Sequence, residues 1–200
     1  MPTIVKKFST KTYPVKGKNL VEIWNYLVKN GPKVRGTRRA GRTGYKITVG
    51  SPKLTGTVTE NPKTKKFEAV AEITTVSVQA YAQSELPKLD AKSKSLLSNK
   101  AKKEWLRFLA HLGAHEEGHR ICTENVAKKI GREVEALEVK VAANTDKDAQ
   151  AQSIKELQKA FNSGYSPKKV KSRLEAEQAN YDRTATGKRA QKVKLDVTIK

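Results

Sequence analysis

The stretch WLRFLAHLGAHEEGHRICTENV, residues 105–126, decides how the chain is read. Trp105, Phe108, Leu109, Leu112, Cys122 and Val126 recur at intervals of three and four, which is the spacing of a helix that buries one stripe. The pattern starts at Lys100, runs for about forty residues and adds Ile130 and Leu137. Inside it, residues 115–119 read His-Glu-Glu-Gly-His. Histidines four apart lie on one helix face, about 6 Å apart along the axis, so two imidazoles can share one metal ion. A glutamate next to the first histidine can reach a water on that metal and act as general base. The spacing therefore predicts a zinc site with His115 and His119 as ligands and Glu116 as base. Both histidines fall within the apolar stripe, where unsatisfied imidazoles are costly and a metal satisfies them.

His111 completes a run of histidines at i, i+4 and i+8, but it lies about 12 Å along the axis from His119, too far to share one ion. It reads as a rim or substrate-binding residue. A third ligand must come from elsewhere. Glycine and histidine three and six residues past the second histidine would supply one in a known class, but Cys122 and Asn125 stand there. Glu124 points off the zinc face, and Glu133 lies roughly 20 Å further along. The best source is the late stretch Glu177 to Gly187. Asp182 is the first choice as ligand, Glu177 the next, and the Tyr181 hydroxyl could steady an oxyanion.

Working outward, the first 86 residues read as β-rich with one inserted helix. Lys6–Val15 is a strand. Asn19–Asn30 is a helix carrying Leu20, Ile23, Trp24 and Leu27, stopped by Gly31-Pro32. Gly44–Val49 and Leu54–Glu60 suggest a hairpin. Lys66–Ala82 is the longest strand, with Val70, Thr74, Val76, Val78 and Ala80 on one face. Residues 85–99 form a connector or short helix. After the long helix, residues 142–148 break the pattern. Ala149–Phe161 is a second helix, and Ser166-Pro167 opens a third with the stripe Val170, Leu174, Glu177 and Tyr181, ended near Gly187. Residues 192–200 alternate as a half-buried strand returning to the N-terminal sheet.

The expected fold is α+β: a mostly antiparallel N-terminal sheet with one inserted helix, packed on a zincin-like C-terminal helical half. One domain spans 1–200, made of a β-rich part (1–86), a helical zinc-site part (87–190) and a returning strand (191–200).

These motifs together resemble a known family. Gly31-Pro32, Ala40-Gly41-x-Thr43, a strand ending near Leu86-Pro87, Trp105-x-x-Phe108 leading into His115-Glu116-x-Gly118-His119, and Tyr181-Asp182 are similar to a DUF922-like bacterial family of secreted zinc-dependent proteases. The resemblance covers most of the chain and implies a metallopeptidase-type helical core in an exported protein. It also implies a histidine, followed by glycine, shortly after the Tyr-Asp pair as third ligand. Here residues 184–188 contain no histidine, so Asp182 or Glu177 replaces it or the metal is weakly held.

Charge points to partners. The chain has 41 Lys and Arg against 20 Asp and Glu, a net +21 over 200 residues, which favours anionic polymers. Residues 31–66 hold ten of those cations and one acid, Glu60. The single cysteine, Cys122, excludes an internal disulfide and a cysteine-based zinc ribbon. No stretch approaches the ~20 apolar residues of a membrane span, and the start has no hydrophobic run of signal length. A cytoplasmic protein, or a mature secreted or periplasmic form, is expected. The functional expectation is a zinc metalloendopeptidase (cofactor Zn2+) acting on a protein or peptide that enters between Lys66–Ala82 and the helix around Glu116. The alternative is a binding module with a structural or degenerate zinc site, whose basic surface holds nucleic acid or an anionic envelope polymer.

Overall fold

The computed structural model describes residues 2–34, 36–184 and 194–199. In chain order the elements are β1 (Thr3–Val15), α1 (Leu20–Asn30), β2 (Lys33–Val34), β3 (Thr37–Arg38), β4 (Arg42–Val49), β5 (Lys53–Glu60), β6 (Phe67–Thr75), β7 (Ser77–Leu89), α2 (Ala91–Leu96), α3 (Asn99–Glu135), β8 (Glu138–Ala143), α4 (Asp146–Tyr165) and α5 (Pro167–Arg183). The fold is α+β, with sheets in the N-terminal part and a helical C-terminal half. The chain packs into two compact units: Met1–Lys7, Lys46–Ala80 and Glu124–Glu175 make one, and Phe8–Tyr45, Tyr81–Thr123 and Ala176–Lys200 make the other.

The first unit holds the antiparallel sheet β5-β6-β8, covered by α4. Ala69, Ala71 and Ile73 of β6 alternate inward, as a half-buried strand requires. The Thr145 hydroxyl caps α4 by accepting the Asp148 N–H. The helix buries Ala149, Ser153, Leu157 and Phe161, four residues apart. Gly56 faces α4, where a Cβ would sit at ordinary contact distance, 3.4 Å from Gln150.

The second unit carries the larger apolar cluster. Leu20, Ile23 and Leu27 of α1 meet Val15, Leu89, Leu97, Ala101, Trp105, Phe108 and Leu112. The Asn19 side chain caps α1 by accepting the Glu22 N–H. Leu195 closes the cluster, with Val197 and Ile199 packed beside it. Two polar links hold this last segment: the buried Glu104 accepts the Asp196 N–H at 2.7 Å, and Arg107 donates to the Lys194 carbonyl at 2.9 Å.

The structure corrects four expectations. The long strand 66–82 is two strands broken at Val76. The buried face changes parity there, from Ala69, Ala71 and Ile73 to Val76, Val78, Ala80 and Ala82, as one out-of-register residue must cause. Both halves are central, β6 between β5 and β8 and β7 between β1 and β4, so neither has an edge for a substrate among the described residues. The hairpin of residues 44–60 is absent: β4 pairs with β7 and β5 with β6, and Gly50 donates its N–H to the Ser77 carbonyl instead. Residues 138–143 are a strand, not the end of a helical pattern. Residues 194–199 turn without forming a strand, although their apolar side chains still reach the core. Gly187, with the rest of 185–193, lies outside the described residues.

Candidate metal centre

His115, Glu116, His119, Tyr181 and Asp182 all belong to the second unit. His115 and His119 sit one turn apart on α3, with their Nε2 atoms 3.2 Å from each other. Asp182, near the end of α5, brings Oδ1 to 3.3 Å from His119 Nε2 and 3.8 Å from His115 Nε2. Ligand atoms about 2.0–2.2 Å from a tetrahedral ion lie roughly 3.3–3.6 Å from one another; the three separations here, 3.2, 3.3 and 3.8 Å, bracket that range. His115, His119 and Asp182 form a group that could hold a metal ion.

The hydrogen bonding gives a second test of fit. The Gln178 amide is 1 % exposed. Its nitrogen donates to the His119 carbonyl (3.0 Å) and to Thr123 Oγ1 (2.9 Å), so its oxygen faces His119 Nδ1 at 2.6 Å. His119 therefore carries its proton on Nδ1 and presents a bare lone pair at Nε2. Asp182 Oδ1 is buried and accepts no hydrogen bond, and the outer nitrogen of His115, Nδ1, has no partner either. Burial and the neighbouring His119 lower the His115 pKa, which favours its neutral form. Two imidazole nitrogens and a carboxylate oxygen gathered around one point fit a divalent cation.

Glu116 lies beside this group, 4 % exposed. Thr43 of β4 donates to Glu116 Oε2 at 2.7 Å and is itself 2.9 Å from Ser84 Oγ on β7. Burial raises the carboxyl pKa, and the Thr43 hydrogen bond partly offsets that. Gly41 is a close approach: a Cβ there would meet Glu116 Oε1 and Leu112 at 3.1 Å.

Tyr181 stacks on the His115 ring (5.6 Å between centroids) and stands edge-on to His119 (4.9 Å). Its hydroxyl donates to the His115 carbonyl at 3.2 Å, and burial, followed by the Asp182 charge, raises its pKa. Tyr181 fits because residue 118 is glycine; a Cβ there would lie 1.9 Å from the hydroxyl oxygen.

Of the residues expected from sequence, His115, Glu116, His119, Tyr181 and Asp182 come together. His111 is exposed on α3 and outside the group. Glu177 is half-buried and outside the group as well; its charge is felt instead by Cys122, whose thiol burial pushes up to about 11. Sequence reasoning gave no role to Gln178, Thr43 or Gly118. The available signal for Gln178 was its place four residues after the buried Leu174.

A family model described as "Bacterial protein of unknown function (DUF922)" matches residues 10–189. The chain belongs to that family. No curated protein and no solved structure matches it. The family likeness expected from the motifs thus rests on nearly the whole chain, whereas the description of the DUF922 family names no activity. No helix among the described residues is long and apolar enough to cross a membrane.

Proposed function

We propose that this DUF922 protein is a zinc-dependent metalloendopeptidase. The observation that carries the reading is the buried Glu116 carboxylate beside a lone-pair group of two imidazoles and a carboxylate. His115, His119 and Asp182 would hold the ion. Zinc bound there supplies Lewis-acid polarisation of a carbonyl and acidification of water.

The remaining steps belong to the protein. Glu116 accepts a proton from the attacking water at Oε1, because Oε2 is already bonded to Thr43, and passes it to the leaving amine. Its raised pKa suits a group that must both take and return a proton near neutral pH. Gln178 fixes the His119 tautomer. Tyr181 steadies the oxyanion by exchanging its bond to the His115 carbonyl for one to the substrate.

The peptide is placed by β4, the edge strand of β1-β7-β4, rather than by residues 66–82. Thr43 of that strand touches Glu116, and Tyr45 stacks on the His119 ring at 6.4 Å. An extended peptide pairing with this edge would pass the group.

The test is Glu116→Gln. The variant should keep zinc and lose cleavage of an unfolded protein substrate; cleavage that persists would sink the assignment. Zinc-loaded wild-type protein that cleaves nothing would instead leave the site as part of a binding module.

A further inference from the structure

Charge around β4 is uneven. Lys33, Arg38, Arg39 and Arg42 are all exposed. Arg42 donates to Glu85 at 2.8 Å and to the Lys33 carbonyl at 3.4 Å, so one acid partly neutralises it. Arg38 donates to the Gly31 carbonyl at 2.8 Å, which carries no charge. The Lys33 and Arg39 side chains enter no hydrogen bond or ion pair among the described residues. The β2–β3 hairpin therefore offers cations with no carboxylate of their own, and it runs directly into the segment that contacts Glu116 through Gly41 and Thr43. Thr43 lies four residues past Arg39, with a bend at Ala40 between them; even fully extended they span at most about 13 Å, so Arg39 lies within reach of about four residues of a paired peptide.

We infer that the substrates are acidic peptides, with Asp or Glu within about four residues of the scissile bond, on its carboxyl-terminal side. This rests on the proposed peptidase activity and deepens it. The side follows from antiparallel pairing, the more stable mode at a sheet edge: a peptide running against β4 carries its C-terminal portion back over Arg42, Arg39 and Arg38. A peptide is favoured over a nucleic acid because the cations flank a strand edge, whose N–H and C=O groups recognise backbone. The nearby Tyr45 ring already has one face turned to His119, and residues 31–44, which carry these cations, contain no aromatic residue to stack a run of bases. The net charge of +21 would also speed encounter with anionic substrates.

The experiment uses zinc-loaded full-length protein and quenched fluorescent peptides of one core sequence, with Glu, Ala or Lys at each of about four positions on either side of the bond. Glutamate on the carboxyl-terminal side should raise kcat/KM about two- to fivefold per residue over alanine, mainly through KM, and lysine should lower it. The preference should fade as NaCl rises from about 0.05 to 0.5 M and should vanish in Lys33→Glu/Arg39→Glu. The Glu116→Gln variant should bind the same peptides in the same order by fluorescence anisotropy. Cleavage with no acidic preference, or a preference on the amino-terminal side, overturns this inference alone. A single-stranded oligonucleotide that outcompetes an acidic peptide of equal charge overturns it as well. If no peptide is cleaved while zinc is bound, the peptidase reading falls and this inference falls with it.

Discussion

Replacing Gln178 with leucine would change little volume and would remove the bonds that link it to His119 Nδ1, the His119 carbonyl and Thr123. Two of those partners keep each other, because Thr123 still donates to the His119 carbonyl at 2.8 Å. The loss therefore concentrates on one buried imidazole N–H left without an acceptor, which costs about 1–3 kcal/mol. For a chain of this length each kcal/mol lowers Tm by roughly 2–4 °C, so the metal-free variant should melt roughly 2–12 °C below wild type. The second effect falls on the metal. Without the amide oxygen, His119 can move its proton to Nε2 and withdraw the lone pair. Loss of such an outer partner weakens binding by roughly 10- to 100-fold, about 1.4–2.7 kcal/mol. Competition with a chromogenic chelator at pH 7 reads the affinity, and melting with and without zinc reads the linked stabilisation. Gln178→Glu is the companion variant: it keeps an oxygen facing Nδ1, loses the two amide donations, and should recover most of the zinc affinity. A zinc Kd for Gln178→Leu within twofold of wild type, in a protein that still folds, would refute the reasoning.

Other outcomes follow from the same contacts. Gly118→Ala should destabilise by about 1–3 kcal/mol in thermal melts, because its Cβ would occupy the space of the Tyr181 hydroxyl. Gly113→Ala on the same helix, where a Cβ meets nothing within 4 Å, should instead stabilise by up to about 1 kcal/mol. The Glu104 carboxyl is held below the ordinary glutamate range, chiefly by its hydrogen bond from Arg107. A depressed folded pKa contributes stability that is complete above the unfolded value and is lost as pH falls through the folded one. The stability gap between wild type and Glu104→Gln, read from urea melts, should therefore be full above about pH 5 and shrink below about pH 4. Cys122, with its thiol pushed up to about 11, should be alkylated slowly by iodoacetamide at pH 7, and the rate should climb about tenfold per pH unit; a rate that levels off near pH 8.5 would contradict that shift.

Local signals in the sequence were legible and long-range pairings were not. The Asn19 cap, the Leu20–Leu27 stripe and the stop at Gly31-Pro32 define α1 within a dozen residues, and α3 announces itself by its stripe. Strand partners carry no such signal, because alternation looks the same whichever strand lies alongside. That is why residues 44–60 read as a hairpin although β4 and β5 belong to different sheets. Residues 66–82 misled for a related reason: two short alternations of opposite parity, joined at Val76, look like one long strand if only the even positions are followed. The site divides in the same way. His115, Glu116 and His119 share one helix, so spacing alone aligns them. On α5, the step from Leu174 could go to Glu177 or Gln178, both on the same face. Burial selects Gln178, since an amide can satisfy all its bonds inside while a carboxylate there would need a partner of its own.

The position of Asp182 can be traced to that same choice of face. On α5, Gln178, Tyr181 and Asp182 stand at i, i+3 and i+4; on α3, His115, Gly118 and His119 do the same. Each pair of facing positions has one physical task. Gln178 accepts the hydrogen bond from His119 Nδ1–H. Tyr181 fills the space over Gly118 and holds the His115 carbonyl. With those contacts fixing the register, Asp182 meets both Nε2 atoms. The position of Asp182 is thus set by two neighbours that are not ligands. A slip of α5 by one residue would turn it about 100° around the helix axis and undo all three contacts together. The Asp182 carboxylate is therefore held in place by an amide and a ring on its own helix, which set its position without any ion.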